Sequence, residues 1–210
     1  VTANDFVFSW QRICDPATAA EYAYMLAPVM NAEDVTAGKK KPDELGVKAV
    51  DDMTFEVTLN APTPYFLEML THQATYPVSK ANVEAKGADF VKPGNLVSNG
   101  AYTLAEFVPN DHVKAVKNPK FYDAANVKID VVNYIPTEDR STAMKRFEAG
   151  ELDSNDDIPT EQLTDLKAKF GDQVHLGPYL GTYYYVYKIN KAPWNDVKLR
   201  HAISQAIDRD

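Results

Sequence analysis

Phe6, Val7, Trp10 and Ile13 recur at helical spacing, and Thr2 with Asp5 three residues on has the form of a capping box. Asp15-Pro16 ends that helix, and a second is predicted over Ala17 to Met25. Asn31 to Leu45 is polar and reads as an exposed loop or short helix. Val47 to Val50 and Thr54 to Leu59 flank Asp51-Asp52-Met53, a hairpin signal. Phe66, Leu67, Met69 and Leu70 suggest a helix, and Ala81 to Lys86 another that stops at Gly87.

From Gly94 the pattern changes. Ala101 to Phe107 and His112 to Val116 read as a second hairpin turned by Pro109-Asn110-Asp111, with Lys128 to Ile135 a further strand. Thr137 is the expected cap of a helix that carries Lys145 and Arg146 near its end and Gly150 just past it. Leu152-Asp153-Ser154 reads as a short strand. Thr160 is expected to cap a helix with Leu163, Leu166 and Phe170 inward and Gly171 at its stop.

The segment Pro178 to Asp210 draws the rest together. Thr182 to Tyr187 is all β-branched or aromatic, and alternation puts apolar groups on both faces. That predicts a central strand covered on both sides. Asn195 is the expected N-cap of a last helix with a stripe through Val197, Leu199, Ala202, Ile203, Ala206 and Ile207. Late alternation of strands with helices, after earlier hairpins, gives an α/β chain with a mixed sheet. Neither an internal repeat nor a low-complexity stretch is visible.

Composition narrows the function. The net charge of −8, from 30 acidic and 22 basic residues, argues against a nucleic-acid partner, which needs a basic face. No run approaches the ~18 apolar residues of a membrane span. No signal peptide is visible, and the chain opens at Val1 as if cut from something longer. Cys14 is the single cysteine and reads as a small buried hydrophobe.

Candidate chemistry is sparse. His72, His112, His175 and His201 are scattered without metal-ligand spacing, so no metal site and no cofactor is expected. There is no nucleophile elbow or phosphate-cradling glycine loop. Glu151, Asp153, Asp156 and Asp157 form an acidic cluster before Pro159. Two carboxylates set apart could run glycoside hydrolysis; a solvated loop before a helix is the plainer reading.

Several blocks carry a family likeness. Thr2 to Arg12, Leu45 to Ala49 (Leu-Gly-Val-Lys-Ala), Val97 to Tyr102 (Val-Ser-Asn-Gly-Ala-Tyr), Asn118 to Asp123 (Asn-Pro-Lys-Phe-Tyr-Asp) and Gly150 to Asp153 (Gly-Glu-Leu-Asp) occur in that order. They end in Tyr-Leu-Gly-Thr-Tyr-Tyr-Tyr and Ala-Pro-Trp-Asn-Asp-Val-Lys-Leu-Arg. The chain closely resembles the oligopeptide-binding proteins of ABC importers, the peptide and nickel class (family 5) of extracytoplasmic solute-binding proteins. It resembles an internal piece, well under half of a member.

The resemblance implies a type II periplasmic-binding-protein-like fold of two lobes with mixed sheets, present here in part. On that likeness residues 1–82 are the rear of a small accessory domain. Residues 83–180 are the middle of the first ligand-binding lobe, and 181–210 cross the hinge into the second. It implies a periplasmic or extracytoplasmic protein that binds short peptides and delivers them to a membrane permease, monomeric at full length and not an enzyme. Other cargo on the same fold (dipeptide, murein peptide, nickel, opine) is the alternative, and a carboxylate-dependent hydrolase a second one. The implied ligand contacts are Tyr22, Tyr179 and Tyr184, with Asp156 and Asp157, where relatives usually carry Asn, and Gly181, where some have Cys. The aspartates make the local field more negative, which would favour basic peptides or the peptide's amino end.

Overall fold

The computed structural model describes residues 1–178 and 181–208. They form two compact units, Val1–Glu138 and Asp139–Asp210.

The first unit is built on α1 (Ala3–Cys14). The Asp5 half of the capping box forms: its carboxylate accepts the Thr2 N–H at 2.9 Å. Its other oxygen accepts the Lys80 N–H at 3.0 Å, tying the start of α1 to the start of a later helix. Asp15-Pro16 ends α1 as expected. The helix expected over Ala17 to Met25 is instead two 3-10 turns, Pro16–Thr18 and Ala23–Leu26, with Ala19 between them at φ 50°. A left-handed residue cannot sit inside a right-handed helix, so the run breaks there.

α2 (Ala32–Thr36) leads to the hairpin β1 (Val47–Ala49) and β2 (Phe55–Val57), paired antiparallel with Lys48 opposite Glu56. α3 (Phe66–Met69) and α4 (Lys80–Lys86) follow. Trp10, Cys14, Leu26, Val29, Val35, Leu45, Val47 and Phe66 make the core, and Phe55 meets Trp10 edge-on at 5.1 Å. The Trp10 indole N–H donates to the Thr75 carbonyl at 2.9 Å, so the ring is buried without losing a hydrogen bond. Cys14 packs as a small apolar group here; burial pushes its thiol up, a hydrogen bond with Thr36 opposing.

A three-stranded antiparallel sheet completes this unit, with β3 (Tyr102–Val108), β4 (His112–Lys117) and β5 (Val131–Tyr134) in that order. β3 and β4 shift register between Leu104 and Glu106.

The second unit holds α5 (Arg140–Glu148), α6 (Leu163–Phe170) and α7 (Val197–Ala206). Asp139, not Thr137, caps α5, accepting the Thr142 N–H at 2.7 Å. Likewise Asp196, not Asn195, caps α7, accepting the Lys198 N–H at 2.8 Å. A 3-10 turn, Thr160–Gln162, runs into α6 with Pro159 at its cap, so Thr160 lies inside the turn it was expected to cap. Met144, Ala143 and Leu166 are buried, and Phe147 meets Phe170 at 5.5 Å. Leu152 to Ser154 is not a strand.

Thr182 to Tyr187 departs furthest from expectation. It carries no strand, and Tyr183, Tyr184, Tyr185 and Val186 are exposed, Tyr183 at 89%. Strand propensity supplies half of a strand, and a hydrogen-bonded neighbour supplies the other half. No described segment pairs with it. The late alternation of elements therefore yields helices without a ladder.

Candidate functional site

Tyr22 belongs to the first unit and precedes the turn Ala23–Leu26. The buried Ala23 and Leu26 pin this turn to the core and leave Tyr22 outward, 45% exposed. Its ring packs on Tyr24 at 5.8 Å and on His72 at 4.9 Å. The sequence offers His72 only as a candidate metal ligand. Its place beside Tyr22 has no local signal, because the two are joined by folding over a long loop.

The other candidates belong to the second unit. The connection from α5 to α6 wraps an open cavity of about 520 Å³. Its apolar lining includes Met144, Phe147, Leu166 and Phe170, and its polar side Asp153, Asn155, Asp156 and His175. Asp156 is thus placed on the cavity wall, where it accepts the Ser154 hydroxyl at 3.2 Å. Asn155 also lines the cavity, and its buried amide nitrogen has no acceptor among the described residues.

Asp157 differs from its neighbour. Its carboxylate takes the Arg140 Nε–H at 2.9 Å at the exposed start of α5. Glu151 is likewise held by Arg146 at 2.9 Å. Two of the clustered acids therefore have arginine partners, whereas Asp153 and Asp156, on the wall, have no ion-pair partner among the described residues. The sequence placed all four together; the arginines, a helix away, separate them.

Gly181 and Tyr184 lie in an exposed segment without regular secondary structure, Tyr184 at 72%. Tyr179 lies outside the described residues. Among the described residues no group of three or more His, Cys, Asp or Glu side chains is placed to hold a metal ion. No helix among them is long and apolar enough to cross a membrane.

The whole chain, residues 1–210, matches the bacterial extracellular solute-binding proteins, family 5 Middle. The chain belongs to this family. It is 45% identical over 213 residues to the periplasmic oligopeptide-binding protein OppA of Salmonella typhimurium, covering 100% of this chain and 39% of that protein. It is 42% identical over 211 residues to the periplasmic murein peptide-binding protein MppA of Escherichia coli, with the same coverage. The solved Haemophilus influenzae OppA in complex with RPPGFSPFR superposes with a TM-score of 0.95 at 42% identity, over 100% of this chain and 41% of that one. This family 5 chain therefore spans about two fifths of the length of the relatives it matches. Its fold is part of the type II periplasmic-binding-protein fold they share. Both of these curated relatives are binding proteins, one for oligopeptides and one for murein peptide.

Proposed function

We propose that the protein containing this chain is the extracytoplasmic substrate-binding component of an ABC peptide importer. It holds short peptides by their main chain in a cleft between two lobes and delivers them to the permease. The observation that carries this reading is the family match over all 210 residues with 45% identity to an oligopeptide-binding relative. A solved relative holding the nonapeptide RPPGFSPFR supports the same cargo. On this reading residues 1–82 belong to the accessory domain, 83–180 to the first lobe and 181–210 to the hinge and second lobe.

The physics fits such a task. An extended peptide held by main-chain hydrogen bonds adds like a strand and is bound whatever its sequence. Tyr22, Tyr179 and Tyr184 then supply rigid contact area with a hydroxyl at low entropic cost. Bridging water in a roomy site satisfies varied side chains without a fixed code. Asp156, with Asp153 on the polar side of the cavity and an apolar side opposite, suits the end of a Lys or Arg side chain or the peptide's amino group. Gly181, lacking a side chain, widens the site at its position. Lobe closure around the ligand marks the loaded form for the permease. No covalent step is needed, and no cofactor.

Calorimetry of the complete protein with tri- to pentapeptides of unrelated sequence tests the reading. Micromolar or tighter binding across dissimilar peptides, all recovered uncleaved, is the expected result. Cleaved products would favour the hydrolase built on the acidic cluster.

A further inference from the structure

An exposed tyrosine on a short turn has several side-chain rotamers open to it. Tyr22 is not left that freedom. Its ring lies against the His72 imidazole, with centroids 4.9 Å apart and planes tilted by 41°. That separation is in the favourable range for ring pairs.

The imidazole is itself fixed. His72 caps the 3-10 turn Gln73–Thr75, and its Nδ1 accepts the Ala74 N–H at 3.1 Å. A backbone amide only donates, so Nδ1 is the bare nitrogen and the neutral ring carries its proton on Nε2. The Thr75 hydroxyl donates to the His72 carbonyl at 2.8 Å. The Thr75 carbonyl in turn accepts the buried Trp10 indole N–H at 2.9 Å. An unbroken series of contacts thus runs from the core through Thr75 and His72 to the exposed Tyr22.

We propose that His72 is a positioning residue for ligand binding: its ring, locked by the Nδ1–amide bond, holds the Tyr22 ring in one orientation. The proposal rests on Tyr22 being a peptide contact. A contact tyrosine already fixed before association loses less freedom when the peptide arrives.

His72→Asn separates the two duties of the residue. Asn caps such turns by accepting the same backbone N–H, but it has no ring to support Tyr22. In the complete protein we expect this variant to keep its Tm. It should bind tri-alanine and tri-lysine about three- to tenfold more weakly, the worth of one aromatic pair. Added to Tyr22→Ala it should cost nothing further, since the ring it supports is gone. His72→Phe, which keeps a ring and loses the acceptor, should show the opposite pattern: a lower Tm with affinity nearer that of the parent. Nitrogen NMR should find the Nε2–H tautomer in the free protein, a readout that needs no variant.

If Tyr22→Ala weakens binding and His72→Asn does not, His72 is a turn cap alone and the proposal is overturned while Tyr22 keeps its role. If Tyr22→Ala leaves both affinities unchanged, Tyr22 is not a contact and the proposal falls with it. An Nδ1–H tautomer overturns it directly.

Discussion

The Asn118 side-chain amide donates to the Gly100 carbonyl at 2.9 Å. The same nitrogen reaches the Ser98 carbonyl at 3.2 Å, and Oδ1 accepts the Lys120 N–H at 3.0 Å. One buried side chain thereby joins the Val97–Tyr102 block to the Asn118–Asp123 block. Replacing it with Ala strands these backbone groups without partners and should cost about 1–3 kcal/mol in denaturant unfolding. Asn118→Asp should cost more, because it sets a carboxylate against two carbonyl oxygens. An Asp variant as stable as the parent would show that water replaces these bonds freely.

Gly46 is buried where two backbone segments meet. A Cβ there would lie 2.7 Å from Met30 Cβ and 3.0 Å from the Thr58 carbonyl. The Gly46 N–H also donates to the Met30 carbonyl at 2.8 Å, so the segments have little room to part. Gly46→Ala should destabilise by about 1–3 kcal/mol, the usual cost of overpacking. A melting curve that overlays the parent's would contradict this close approach.

Acid should loosen the contact between α1 and α4. Partial burial works against the Asp5 charge and is outweighed by the Lys80 and Thr2 N–H groups, leaving its carboxyl below the usual range. A folded pKa below the unfolded one stabilises above the unfolded value of about 4 and fades as pH falls through the folded value. The stability gap between parent and Asp5→Asn should therefore be widest near neutral pH and close in acid. A gap that does not change with pH would refute the assignment.

The two neighbouring aspartates should differ in effect. Asp157 is compensated by Arg140, whereas Asp156 faces the cavity. In the complete protein, Asp156→Asn should lower the preference for tri-lysine over tri-glutamate by about two- to fivefold, the scale of one half-solvated charge contact. Asp157→Asn should change it less. Equal effects, or the reverse order, would mean that Arg140 does not set the difference.

Local chemistry was legible in the sequence and distant pairing was not. Asp5, Asp15-Pro16 and Gly171 act within a turn of themselves, and each does what its spacing predicts. Caps were misplaced by one or two residues at Asp139 and Asp196, because neighbouring Thr and Asn could serve equally and only side-chain direction decides. Thr182 to Tyr187 has the composition of a buried strand but lies open, since burial depends on neighbours that no described segment supplies. The acidic cluster was visible as a cluster. Its division into acids with and without an arginine partner depended on Arg140 and Arg146, which approach only through the fold. His72 joins Tyr22 in the same way, from the far side of the first unit's hairpin in sequence.

Native mass spectrometry of the complete protein, purified without denaturation, tests the central claim most directly. Released ligands should be short peptides of mixed sequence, in a mass ladder of tri- to pentapeptides, each bound one per protein. A single non-peptide mass, whether a metal ion or another small molecule, would contradict peptide import as the function.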